Sequence, residues 1–193
     1  MAAVLVTALI VVATIAIAWT ARDEERASAR SRVALIRTIA YSLFTVLITF
    51  ELAAGALWDL LQIEYVRVVL THLGYPLYLL IILGVWRGPG AVALLAPRFP
   101  RLKEWAYAGA FFDYTGAAAS HLLKGDRVGL WMPPLAFATF TLLSWALRPA
   151  SRRLTGSTPA EKMRVASWLV PVLTVAAMLV IGFFTLPKGG PPQ

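Results

Sequence analysis

The chain has 193 residues, 59% of them hydrophobic and only 15% charged, and a mean hydropathy of +0.71 excludes an ordinary soluble domain. The net charge of +8 does not indicate nucleic acid, because Lys and Arg stand in short clusters between apolar runs and no basic segment is interleaved with aromatics. The absence of cysteine rules out disulfides, thiolate metal sites and Cys-ligated iron–sulfur clusters.

The apolar run from Ala2 to Ala18 has no positive residue before it, so it reads as a retained first span and not as a cleavable signal. Thr20 to Arg37 follows with five arginines against three acids, the pattern of a solvated cytoplasmic helix face. A second span runs from about Thr38 to Trp58, interrupted by Glu51 and closed by Asp59, with a small-residue patch at Ala53 to Ala56 suited to helix contact. After a segment that includes QIEYVRVVL, which reads as a loop or short interfacial helix, a third span is predicted from His72 to about Ala96. Inside it lies Gly88-Pro89-Gly90, expected to kink or break the helix and strand backbone groups.

The fourth span, Trp105 to Leu123, is the one place where polar chemistry lies deep in an apolar run. Its 19 residues cover roughly 28 Å at about 1.5 Å each, so Asp113 falls near mid-membrane and must be protonated, paired or turned inward. Gly109, Gly116, Ala117, Ala118, Ala119 and Ser120 are expected to let neighbouring helices approach closely. A fifth span covers Leu130 to Leu147 and a sixth about Val165 to Leu186, before a Gly/Pro-rich tail.

Charge asymmetry tests this count of six. Of the 18 Lys and Arg residues, thirteen fall on one side, four on the other, and Arg87 on neither, which puts both termini on the non-cytoplasmic side of a multi-pass protein. The expected class is therefore all-α and polytopic, with lipid as an obligatory partner.

Three ordered motifs, HLGYPLYLLIILGVWR (His72 to Arg87), APRFPRLKEWAYAG (Ala96 to Gly109) and GAAASHLLKGD (Gly116 to Asp126), resemble the DoxX-like family of small bacterial membrane proteins. The resemblance covers roughly Arg37 to Leu154 and implies a four-helix membrane bundle in the bacterial inner membrane, built from the second to fifth spans. On that reading residues 1–36 hold an added helix and basic linker, 37–154 the bundle, and 155–193 a second added helix and tail. Relatives resembling subunits of quinone-linked oxidoreductases imply a redox partner, while others look like assembly factors without catalysis; fold alone does not decide.

Two groups of residues are candidates for chemistry. Arg87 and Asp113 each lie roughly 13 to 15 Å from the inner surface, so a mutual ion pair would relieve two costly charges, either as a helix clamp or as part of a proton or ligand site. Glu51, Asp59, His72 and His121 are expected to gather nearer the outer face, where they could hydrogen-bond a quinone head group, pass protons inward, bind a divalent metal or haem, or sit wetted by solvent. No HxxxH or HExxH spacing supports a metal, and none is assigned. Tyr75, Tyr78 and Tyr114 are the aromatic pocket candidates, whereas Trp19, Trp58, Trp105, Trp131 and Trp145 read as an interfacial belt.

No nucleophile elbow, P-loop or dinucleotide fingerprint is present, so no residue is assigned as catalytic. The reading that follows is a membrane subunit binding a quinone-like ligand and supporting a redox system, with homo-oligomerisation open. The alternatives are a non-catalytic scaffold clamped by its intramembrane charges, or a small transporter, for which the helix break would be the evidence.

Overall fold

The computed structural model describes residues 32–96, 99–149 and 166–186. The expected first span, most of the basic linker after it, the basic segment beyond residue 149 and the tail lie outside those residues. Among the described residues the protein is all-α, with six helices and no strand: α1 Arg32–Leu60, α2 Glu64–Leu73, α3 Tyr78–Leu95, α4 Pro100–Leu123, α5 Val128–Leu147 and α6 Ala166–Phe184. Three of them, α1, α3 and α5, are long and apolar enough to cross a membrane.

The longest helix, α1, has 29 residues and is the element on which the others are built. It packs against α3, α5 and α6, while α4 packs against α5 and, over a shorter seam, α3. Its polar residues do not weaken it, because Thr38 and Thr45 donate to the carbonyls of Ala34 and Tyr41, one turn back, at 2.9 and 2.7 Å. The small-residue patch expected at Ala53 to Ala56 does its work here. A Cβ on Gly84 of α3 would stand 3.0 Å from the Ala56 carbonyl oxygen, and one on Gly182 of α6 would stand 3.1 Å from the Ala54 Cα, so backbones meet at both places. The apolar core then fills with Val46, Ile48, Leu52, Leu94, Tyr107, Ala138 and Met178.

Two of the small residues of α4 behave differently from expectation, although Ala118 is buried. A Cβ at Gly109 or Gly116 would meet nothing within 4 Å, so these glycines border open space instead of a packed neighbour. The connection before α3 also differs. Residues 64–73 form the amphipathic helix α2, which ends at Gly74, whose φ of 87° lets its amide and that of Tyr75 close on the last carbonyls. His72 is therefore in the last turn of α2 and does not start the third span.

The break predicted at Gly88-Pro89-Gly90 is absent, because α3 is helical throughout Tyr78–Leu95. Pro89 removes one amide, yet buried residues anchor the helix to its neighbours on both sides: Leu80 and Gly84 before it, Ala91, Leu94 and Leu95 after it. The flanking glycines add no crowding, since a Cβ at Gly88 would meet only the Ala56 Cβ at 3.8 Å and one at Gly90 nothing. With α3 continuous, the transporter reading loses the feature it rested on.

Candidate functional site

Acidic residues of α1 and α4 converge on one guanidinium of α3. Arg87 donates from Nε to Asp113 Oδ2 at 2.8 Å and from Nη2 to Asp113 Oδ1 at 3.1 Å, a two-pronged pair that matches the planar fork to the carboxylate. Its Nη1 donates to Asp59 Oδ2 at 3.0 Å. Gly55 makes room for this, because a Cβ there would stand 2.9 Å from Arg87 Nη1. The same imaginary Cβ lies 3.5 Å from Glu51 Oε1, and the other Glu51 oxygen accepts a hydrogen bond from the Tyr114 hydroxyl. Glu51, Gly55 and Asp59 recur every four residues, which sets them on one face of α1, directed at the arginine.

Two cavities open on this centre. The smaller, about 360 Å³, includes Asp59, Tyr75, Arg87, Asp113, Ser120 and His121 in its lining. The larger, about 610 Å³, lies toward the start of α4 and includes Trp86, Arg87, Pro89, Trp105, Gly109 and Asp113. Arg87 and Asp113, with Leu83 and Phe112, belong to both walls. Trp86 and Trp105 are largely exposed, so the larger cavity is rimmed by aromatics on the flank of the protein. Both volumes fall within the usual range for small-molecule sites.

The histidines form a second centre. Gly125, at φ 78°, turns the chain after α4 so that the Asp126 amide donates to the His121 carbonyl at 3.0 Å. The Asp126 carboxylate then takes His121 Nδ1 at 2.6 Å on one oxygen and His72 Nε2 at 2.7 Å on the other. Those hydrogen bonds, the one from His121 first, hold the Asp126 carboxyl below the usual carboxylate range. Next to them the Tyr75 hydroxyl pairs with Ser120 Oγ at 2.9 Å.

The predicted residues thus divide. Arg87 and Asp113 meet, joined by Asp59 and approached by Glu51 and Tyr114. The expected gathering of Glu51 and Asp59 with both histidines forms only in part: Asp59 and His121 line the same cavity, but Asp59 bonds Arg87, Glu51 bonds Tyr114, and the histidines bond Asp126. Tyr75 borders the smaller cavity, Tyr114 is buried beside Glu51, and Tyr78 is exposed and lines neither cavity. Sequence reasoning missed Asp126 and Ser120. The signal for Asp126 was its place in the short KGDRVG turn, five residues after His121, where a helix end brings the chain back on itself. Among the described residues, no group of three or more His, Asp or Glu side chains is arranged to hold a metal ion.

A family model described as the DoxX-like family matches residues 43–144, a segment that contains every residue of both centres. No curated protein and no solved structure matches the chain.

Proposed function

The chain belongs to the DoxX-like family and is a membrane protein, and from that premise we propose that it is the ligand-binding membrane subunit of a redox system, holding a small quinone-like molecule between α3 and α4. In this reading α1, α3, α4 and α5 form a four-helix bundle, one further span is added at each end, and the six crossings leave both termini on the non-cytoplasmic side. Electron-carrying cofactors reside in a partner protein.

The observation that carries this reading is that two cavities share the Arg87–Asp113 pair as a common wall. A guanidinium has five N–H groups, and hydrogen bonds to Asp113 and Asp59 use three of Arg87's, leaving two as donors to a ligand oxygen. The ring and tail of a quinone-like ligand find apolar and aromatic surface in Phe112, Trp86 and Trp105, and the exposed tryptophans offer entry sideways from lipid.

The test is titration of the full chain in lipid nanodiscs with a short-tail benzoquinone, followed by calorimetry and by the NMR signals of Tyr75 and His121. Binding with a perturbation of those signals, weakened at least about tenfold in Arg87→Gln, is the expected result. Absence of binding by wild type at millimolar quinone would sink the reading.

A scaffold is the second reading, favoured by one feature: Arg87 ties three helices together through Asp113 and Asp59. It expects Arg87 substitutions to change stability and partner assembly in a protein that binds no ligand.

A further inference from the structure

Around the smaller cavity, the hydrogen bonds fix which polar atoms donate and which accept. A carboxylate offers only lone pairs, so the ring nitrogens facing Asp126 carry the protons: Nδ1–H on His121 and Nε2–H on His72. In the tautomer that this bond selects, the lone pair of His121 lies on Nε2, a nitrogen that makes no hydrogen bond to any described residue, in a side chain that lines the cavity. The same reasoning applies to Tyr75. Ser120 spends its hydroxyl proton on the Gly116 carbonyl at 2.7 Å, so in the 2.9 Å contact between the two hydroxyls Tyr75 is the donor. That leaves the Tyr75 oxygen, too, with only lone pairs to offer.

One end of the cavity is thus an acceptor pole, His121 Nε2 with Tyr75 Oη, and the other end is the donor pole of Arg87. We infer that the acceptor pole selects ligands by a hydroxyl group: His121 Nε2 takes the hydrogen bond of a ligand O–H, and Asp126 is the positioning residue that, by accepting from Nδ1–H, fixes the tautomer and the ring orientation that leave the Nε2 lone pair for the ligand. The inference rests on the quinone-like reading for the cavity and adds which redox form it prefers. A hydroquinone donates to His121 and accepts from Arg87, whereas a quinone carbonyl would set lone pair against lone pair at His121. The dimensions agree. Asp113, beside Arg87, and His121 are eight positions apart on one helix, about 12 Å along its axis. A six-membered ring with oxygens at opposite corners and a hydrogen bond at each spans about 11 Å.

The experiment compares a short-tail benzoquinone with its hydroquinone, each titrated anaerobically at neutral pH into the full chain in nanodiscs. The expected result is hydroquinone binding about tenfold tighter than quinone in wild type, the worth of one good hydrogen bond. In His121→Phe and Asp126→Asn that ratio falls to within about twofold through loss of hydroquinone affinity, and Tyr75→Phe, which removes an acceptor without disturbing the turn, lowers it partially. Equal binding of the two forms by wild type overturns the selectivity while leaving the cavity reading intact. Binding of neither form overturns both. Loss of both affinities together in Asp126→Asn shows that Asp126 only shapes the turn, and overturns its positioning role.

Discussion

Asp113 holds Arg87 by two nitrogens along one edge of the guanidinium, and both side chains are about 15% exposed, 16% for the arginine and 15% for the acid. The consequence of breaking the pair is unequal for the two partners. Arg87→Ala strands Asp113 and Asp59 without their cation, and removing one member of a buried pair costs about 3–5 kcal/mol. Asp113→Ala leaves the arginine still bonded to Asp59, so its cost is expected at about 1–3 kcal/mol. Denaturant unfolding in micelles of the two single variants and the double variant measures this, and the double variant should cost less than the sum of the singles. Equal, additive losses would show that the two residues do not depend on each other.

The glycines of the long helices separate into two classes. Gly84→Val and Gly182→Val push a side chain against the α1 backbone, which cannot rotate aside, and each should cost about 1–3 kcal/mol. Gly109→Ala and Gly116→Ala enter open space and should be neutral or stabilising by up to about 1 kcal/mol through helix propensity. Thermal unfolding of the four variants distinguishes these classes, and a loss at Gly109 or Gly116 equal to that at Gly182 would mean that α4 has a packed neighbour there.

This contrast also marks how far the sequence could be read. Helix positions were legible because each long apolar run favours one element, and the meeting of Arg87 with Asp113 followed from counting residues along two such runs. The direction of a small-residue face was not legible: Gly55 and Gly109 look alike in sequence, yet one lies under a guanidinium and the other beside a cavity. The partner of the histidines was hidden for a similar reason. Asp126 is an ordinary turn acid until Gly125 adopts its left-handed conformation and brings the carboxylate between two rings from different helices.

Lys103 carries a prediction of its own, since it is buried at 1% exposure in the first turn of α4 and donates to the carbonyls of Ala93, at 3.2 Å, and Leu94. A positive charge at the C-terminal end of α3 meets both the unpaired carbonyls and the negative end of the helix dipole. Lys103→Met keeps the apolar stem and removes the donor, and a loss of about 2–3 kcal/mol is expected, in the range of a charged hydrogen bond. Hydrogen exchange should localise the effect, with the amides of the last turn of α3 exchanging faster and those of α1 unchanged. Unaltered protection of that turn would show that the ammonium does not cap it.

The turn acid gives a pH dependence whose sign is fixed. Hydrogen bonds from His121 and His72 lower the folded-state pKa of Asp126 below the ordinary value of 3.8. A carboxyl with a depressed folded-state pKa stabilises the protein fully above its unfolded value and loses that contribution as pH falls through the folded value. Wild type should therefore be more stable than Asp126→Asn above the ordinary carboxylate value, and the margin should shrink as pH falls below about 4. Thermal unfolding of both proteins across pH 2.5 to 7 reads the margin directly. A margin that widened below pH 4 would mean that the folded state favours the protonated acid, and the hydrogen bonds from the two histidines would then not be what holds the turn.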